Sequence, residues 1–272
     1  MRRLNPSDAP ALRALLAVNP ASHVFASSRI DEGALQSSAG EVLGYFNGNH
    51  LQSALFVGSN LVPVTLTDAA TSAFGFEMRR RTRTFSSIVG HRQQALDLWH
   101  SIAMTHGPAR IIREHQPYLA LTTVRDIARH AHLRQATAQD LDSYFTASVE
   151  MFRSEVEMDP VAHGPAAYRA RVLETLNSGR GFGWFDSSGN TLFKLDVGAI
   201  SQGICQIQGV WLHPDVRGQG LAPSLVASAV DLIQRDIAQT VGLYVNDFNH
   251  PARRTYASVG FEQIDEFATI FF

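Results

Sequence analysis

Cysteine is almost missing from this chain. Cys205 is the only one in 272 residues, so no disulfide can close within the chain, and the disulfide-stapled secreted scaffolds are excluded. Long apolar runs are missing too. The longest charge-free stretches, such as residues 51–67, are broken by Gln, Ser, Asn, Gly and Pro, whereas a membrane span needs roughly 18 consecutive apolar residues. No membrane partner is expected. The Met-Arg-Arg start lacks the apolar stretch and small-residue cleavage site of a signal peptide, so a cytoplasmic location is expected. Neither charge dominates: Lys and Arg number 23 against 25 Asp and Glu, a net charge of -2. No global field therefore draws the chain to phosphate backbones or anionic lipid, and no nucleic-acid partner is expected. Hydrophobic residues make up 45%, which excludes disorder and supports one large core or two ordinary ones, domains typically running to ~100–200 residues.

Several chemistries lack their residues. The eleven histidines are scattered, and His130/His132 and His100/His106 have neither the i,i+4 helical spacing nor the acidic neighbours of a metal site. No metal is expected. There is no G-x-S-x-G, and Cys205, beside Gln206 on an expected strand, reads as a core thiol. The P-loop signature G-x-x-x-x-G-K-[ST] and the full Rossmann fingerprint are both absent. Arg79, Arg80, Arg81 and Arg83 form the densest basic run and read as a solvated helix end.

What is present is a faint internal repeat. Asn5-Pro6-Ser7-Asp8 precedes Leu12, Leu15 and Leu16, and Thr137-Ala138-Gln139-Asp140 precedes Leu141, Tyr144, Phe145 and Val149; each pairs a capping residue with a carboxylate three positions on. Gly44-Tyr45-Phe46-Asn47-Gly48-Asn49 and Gly183-Trp184-Phe185-Asp186-Ser187-Ser188-Gly189-Asn190 each read as a strand end and a hairpin turn. Second strands end at Val57-Gly58 and Val197-Gly198, and third strands cover residues 61–66 and 206–212. Late in each half a strand, 87–89 or 243–245, leads into a short helix, 93–101 or 252–259. The expected architecture is α+β with two domains of one type, residues 1–128 and 132–272. The alternative is a single α/β domain with an N-terminal extension.

The stretch from Ile207 to Ala222 carries the chemistry. Alternation and β-branching make its first part a strand, Pro214 ends it, and Arg217-Gly218-Gln219-Gly220-Leu221-Ala222-Pro223 opens into a helix with apolar residues at Leu225, Val226, Ala229, Leu232 and Ile233. Such a junction aims unpaired N–H groups and the positive end of the helix dipole at one spot, and Gly218 and Gly220 keep side chains away from a bound anion. A pyrophosphate suits it; glycine used only for backbone freedom is the plainer reading. Further on, Asn249 and Pro251 form a helix entrance, Ala252 and Tyr256 share one helix face, and Gly260 suits the stop.

At these residues the sequence resembles the GNAT superfamily of acetyl-CoA-dependent N-acyltransferases. Residues 217–222 fit its [QR]-x-x-G-x-[GA] loop, and Asn249, Ala252, Tyr256 and Gly260-Phe261 fit the N-x-x-A-x-x-x-Y-x-x-x-G-F that follows. The resemblance covers residues 133–272. Met151-Phe152, Gln208-Gly209-Val210-Trp211, Tyr244-Val245-Asn246-Asp247 and the closing Phe267-Ala268-Thr269-Ile270-Phe271-Phe272 are similar to an actinobacterial subfamily in which an N-terminal domain of unknown function precedes the catalytic GNAT domain. The resemblance implies two tandem GNAT-like domains, each a mostly antiparallel mixed sheet flanked by helices, the N-terminal one degenerate. It implies that backbone groups of Val210, Trp211 and Leu212 face the pantetheine arm, one N–H polarising the thioester carbonyl. Arg217, Gly218, Gln219, Gly220, Leu221, Ala222 and Pro223 would cradle the pyrophosphate of acetyl-CoA, Asn249 would contact the coenzyme, and Tyr256 would protonate the departing thiolate. The partner it implies is an amine acceptor, a small molecule or a protein; oligomeric state stays open.

The chain also departs from that pattern. The two strand positions where such enzymes carry a glutamate base hold Gln206 and Tyr244. Proton removal would then fall to water or to Glu155 or Glu157 in the acidic segment 154–160, which reads equally as a solvated loop. A non-catalytic acyl-CoA-binding or sensing module is therefore the alternative to an enzyme. In the first half Thr67-Asp68-Ala69-Ala70 follows the third strand with no glycine or arginine, and Ala95 and Trp99 stand where Ala252 and Tyr256 do. Indole delivers no proton at neutral pH, so that domain is expected to be structural or acceptor-shaping.

Overall fold

The computed structural model describes residues 1–36, 41–162 and 164–272. In chain order the elements of the first half are β1 (Arg2–Arg3), α1 (Ala9–Leu16), α2 (Val24–Asp31), β2 (Glu41–Asn47), β3 (His50–Val57), β4 (Asn60–Val64), α3 (Asp68–Arg79), β5 (Ser87–His91), α4 (Arg92–His106) and β6 (Ile111–Leu121). The second half repeats the order: β7 (Arg134–Gln135), α5 (Leu141–Val156), α6 (Ala166–Asn177), β8 (Gly181–Phe185), β9 (Thr191–Ser201), β10 (Ile204–Leu212), α7 (Ala222–Asp236), β11 (Thr240–Tyr244), α8 (His250–Val259) and β12 (Glu262–Phe271). The fold is α+β, built from two halves with one order of elements, each with a mixed, mostly antiparallel sheet and flanking helices.

Contacts divide the chain into two compact units. The first holds Met1–Leu119, Tyr244–His250 and Gln263–Phe272; the second holds Ala120–Leu243 and Pro251–Glu262. The first unit runs β1-β2-β3-β4-β5-β12-β6. Its fifth strand pairs antiparallel with the last strand of the chain, Phe267 opposite His91 and Phe271 opposite Ser87. Ala268 and Ile270 thereby join Phe74, Met78, Ile88, Leu96, Leu98 and Ile102 in one apolar cluster, while Leu12, Leu16, Ala54, Phe56 and Val64 form another. The second unit runs β11-β10-β9-β8-β7, with Phe193, Leu195, Val197, Leu225, Val226, Val230 and Ile233 buried.

Local chemistry explains the repeated entrances. Asp8 and Asp140 each accept the backbone N–H of the cap residue three positions earlier, at 2.9 and 2.8 Å, and each closes a capping box that starts the following helix. The hairpin turn at Asp186 is held by its carboxylate, which accepts the amides of Ser188 and Asn190 at 2.8 Å. The basic run behaves as expected of a helix end: α3 stops at Arg79, and Arg81 pairs with Glu77 and Glu41. One expectation changes: the helix placed at 93–101 runs on to His106, because Ile102 is fully buried and extends the apolar face.

Candidate functional site

The second unit contains a strand-to-helix junction opened by a splay. β10 and β11 pair in parallel at Ile204–Thr240, Cys205–Val241 and Gln206–Gly242; beyond Gln206 no such pair is formed among the described residues, while β10 runs on to Leu212. On its other side β10 is antiparallel to β9, with register shifts at Gln206/Ile207 and again between Gln208, opposite Asp196, and Trp211, opposite Lys194. Gly209 and Val210 thus stand together opposite Leu195, the two-against-one count of a bulge, which bends a strand and re-aims its groups. Gly209 sits at φ 58°, where glycine is favoured.

The loop after β10 makes one helical turn (Pro214–Val216) and enters α7. Gly218 and Gly220 both have positive φ, 75° and 74°, and a Cβ added to either would meet nothing within 4 Å. The space they line is open. Among the described residues the backbone N–H groups of Gly218, Gln219, Gly220 and Leu221 donate to no protein group, and Ala222 and Pro223 open the first turn of α7. Four free amides at a 15-residue helix N-terminus are an anion cradle. Arg217 and Gln219, both expected to touch the coenzyme, turn their side chains to the loop itself: Arg217 Nε donates to the Leu212 carbonyl at 2.8 Å and Gln219 Nε2 to the Asp215 carbonyl at 3.0 Å. They brace the cradle. A pyrophosphate fits these residues, since the amides are unspent and the glycines leave room.

Tyr256 lies on α8 in the same unit, 6% exposed, its ring edge-on to Phe261 at 5.7 Å. Its hydroxyl has no hydrogen-bond partner among the described residues. Burial first, and the negative charge of Glu155 second, hold the phenol above its ordinary pKa. Tyr256 and Glu155 are therefore electrostatic neighbours. The acidic segment is less of a loop than its sequence suggests: Glu155 belongs to the last turn of α5, and Glu157 is its C-cap in the left-handed region, φ 56°. Asn249 belongs to the first unit, its amide donating to the Asn246 carbonyl at 3.0 Å. Of the two base positions, Gln206 is buried, and Tyr244 stacks on Phe267 at 5.6 Å, burial raising its pKa. Cys205 is fully buried and its thiol is pushed up to about 12 by burial, which makes it inert.

A polar cluster that the sequence reasoning passed over lies beside the bulge. Lys194 Nζ donates to Asp196 Oδ2 at 2.6 Å and to the Gly209 carbonyl at 3.0 Å, and Asp196 Oδ1 accepts the Tyr144 hydroxyl at 2.5 Å. Burial, then the Asp196 charge, drive the Tyr144 phenol far above its ordinary pKa, and Tyr168 is raised to about 12 for the same two reasons. A signal was there to be seen: Lys194 is the only lysine among 23 basic residues, and Lys194-Leu195-Asp196 puts two opposite charges on one face of a strand.

With this geometry in view, the likeness to known proteins is informative. Residues 40–144 match a domain of unknown function, DUF4081, and residues 188–270 match the FR47-like protein family. No curated protein matches the chain in sequence. Among solved structures, a GCN5-related N-acetyltransferase from Sphaerobacter thermophilus is similar over 99% of this chain and 93% of its own, at 16% identity and TM-score 0.63. A tandem GNAT protein from the clavulanic acid biosynthesis pathway is similar over 98% and 97%, at 14% identity and TM-score 0.56. A GNAT-family acetyltransferase from Colwellia psychrerythraea is similar over 95% and 96%, at 12% identity and TM-score 0.56. The chain is thus similar to GNAT proteins along its whole length, with the DUF4081 segment ahead of the FR47-like one. None of the described helices is long and apolar enough to cross a membrane.

Proposed function

We propose that the second unit is an acetyl-CoA-dependent N-acetyltransferase that passes the acetyl group to a primary amine by direct attack, acetyl-CoA and amine being bound together. The observation that carries this reading is the junction after β10, where four amides of residues 218–221 without protein partners open onto a helix N-terminus. Acetyl-CoA supplies a thioester already activated for acyl transfer; the protein has to hold it, steady the oxyanion and manage two protons.

Val210, in the bulge, and Trp211, which follows it, are the backbone donors for the carbonyl oxygen. The amine nitrogen bonds to the acetyl carbon, the carbon–sulfur bond breaks, and Tyr256 gives its proton to the leaving thiolate. A phenol held above its ordinary pKa stays protonated throughout the neutral range, and a thiolate is basic enough to take that proton. The ammonium proton of the acceptor leaves through water or to Glu155 before the attack, and the second proton, shed by the nitrogen as the amide forms, returns through water to the Tyr256 phenolate, Glu155 and Tyr256 being electrostatic neighbours; Glu157, one turn-end further on, shares the acidic surround that suits a cationic acceptor. The reading calls for no metal, and the expected location is cytoplasmic.

A second reading is favoured by one observation: neither Gln206 nor Tyr244 is a carboxylate, so the site would suit a module that binds acyl-CoA without turning it over. Calorimetric titration with acetyl-CoA separates the readings when joined to a thiol-release assay over a panel of amines. Binding with turnover supports the transferase, binding without turnover the sensor. No binding by the unaltered protein overturns both.

A further inference from the structure

The buried lysine beside the bulge is the feature the mechanism above leaves unused. Lys194 is wholly buried, its side chain 0% exposed, and its carboxylate partner only 16% exposed. Burying such a pair rarely gains stability over an apolar pair of equal volume, so a role in the site is the better explanation of why a chain that otherwise uses arginine everywhere keeps a lysine here. The pocket suits an ammonium and not a guanidinium. Two protons go to Asp196 Oδ2 and the Gly209 carbonyl, and the charge lies 5.1 Å from the centre of the Tyr144 ring. Asp196 is itself held by the Tyr144 hydroxyl. Gly209 leaves the space for this cluster: a Cβ there would come within 2.7 Å of Asp196 Oδ2 and 2.9 Å of Lys194 Nζ.

The Gly209 carbonyl and the Val210 N–H belong to one planar trans peptide unit and point in opposite directions. A cation on that carbonyl fixes the plane of the unit, and therefore the direction of the N–H. It also draws electron density toward the oxygen and makes the N–H a stronger donor, as hydrogen bonds in series polarise one another. We infer that Lys194 is a positioning residue that acts through the Gly209–Val210 peptide, orienting and strengthening the Val210 N–H as the donor that polarises the acetyl thioester carbonyl. Asp196 and Tyr144 hold the ammonium for this task. The inference rests on the transferase reading, for which it names the donor and its source of strength.

The test is isotope-edited infrared spectroscopy of carbonyl-labelled acetyl-CoA bound to the full-length protein, with affinity measured in parallel. In the unaltered protein the thioester band moves to lower frequency on binding. Lys194→Met keeps acetyl-CoA binding and loses that shift, whereas Lys194→Gln, a neutral donor to the same carbonyl, keeps part of it. A residue with only a packing role would leave the band of the folded, binding variant where it is in the unaltered protein, and that result overturns the inference while the transferase reading stands. Should Lys194→Met fail to fold, the unaltered protein still decides: an unshifted band on bound acetyl-CoA overturns the inference. Tyr144→Phe, which removes one support of Asp196, is expected to lose part of the shift, and an unchanged band there also counts against it. If the unaltered protein binds no acetyl-CoA at all, the transferase reading fails and takes the inference with it.

Discussion

Arg2 and Arg134 occupy matching places in the two halves. Each makes a two-point ion pair with the aspartate of its own capping box, Asp8 at 2.6 and 2.7 Å and Asp140 at 2.7 and 2.8 Å. Each also lies over the aromatic ring near the end of its hairpin strand, 4.4 Å from the centre of Phe46 and 4.2 Å from that of Phe185. Even the register agrees, Arg2 facing Gly44 and Arg134 facing Gly183. The halves part company at the third strand. After β4 the first half has no glycine loop: Thr67 caps α3 by accepting the Ala70 N–H at 3.2 Å, and the Gln94 side chain, from α4, accepts the Leu66 N–H at 3.0 Å. A donor that the second half leaves open is spent inside the protein in the first. Trp99, in the place of Tyr256, packs against the apolar cluster of that half. What helix initiation requires has been kept twice, and what an anion requires has been kept once.

The largest effect is expected where the halves differ most. Gly220→Asp puts a carboxylate into the open space of the cradle and at a helix N-terminus whose free amides a pyrophosphate would need. Acetyl-CoA affinity should fall by about hundredfold or more, roughly 2.8 kcal/mol, as read by calorimetry. Asp68→Gly, which removes the carboxylate from the first turn of the matching helix in the first half, should leave affinity unaltered. Binding lost in the second variant and kept in the first would invert the assignment of the two halves.

Next comes the pair Tyr256 and Trp99. Tyr256→Phe should lower kcat by about a hundredfold, the usual worth of a positioned general acid, with acetyl-CoA Kd unchanged; equal loss of binding would make Tyr256 a packing residue. Trp99→Phe should leave kcat alone. Because burial and Glu155 hold the Tyr256 phenol above its ordinary value, no fall in kcat from its ionisation is expected below about pH 10, which a pH–rate profile checks. A smaller change is expected from Gln94→Ala. It leaves the Leu66 N–H without its acceptor and should cost about 1 kcal/mol in thermal unfolding, with acetyl-CoA affinity unmoved.

The parts of this molecule that could be read from sequence are those governed by near neighbours. Caps, hairpin turns, the glycine loop and the helix carrying Tyr256 each depend on a few adjacent residues, and the structure has them where the spacing put them. The pairing of β12 with β5 was not legible, because nothing local in residues 262–271 says which strand they will join. The Lys194–Asp196–Tyr144 cluster escaped for a similar reason. Its members come from β9 and α5, and its purpose depends on a bulge in β10 that alternation alone does not reveal. The side chains of Arg217 and Gln219 hydrogen-bond carbonyls of their own loop, a use the motif does not spell out, since it specifies residue types and leaves open which way a long side chain turns.

The smallest expected effect sharpens what the halves share. Asp8 is held near pKa 2, chiefly by the hydrogen bond from Arg2 and then by the Asn5 amide, and Asp140 is lowered by Arg134 and Thr137 in the same way. An unfolded aspartate titrates near 3.9, so between the two values the unfolded chain binds the more protons. The stability each box contributes is therefore complete above about pH 4 and is lost as the pH falls through the folded value, near 2 for Asp8. Both arginine partners are about half exposed, at 48% and 49%, so solvent and salt screen each pair and the whole contribution is about 1 kcal/mol or less. The check is a thermal-melt series of the unaltered protein against Asp8→Asn and Asp140→Asn. At pH 6 each variant should melt slightly lower than the unaltered protein, and the gap should close as the pH approaches 2. Two gaps that close together would establish that the entrances of the two halves are energetically the same device, while a gap in one half alone would confine the likeness to geometry.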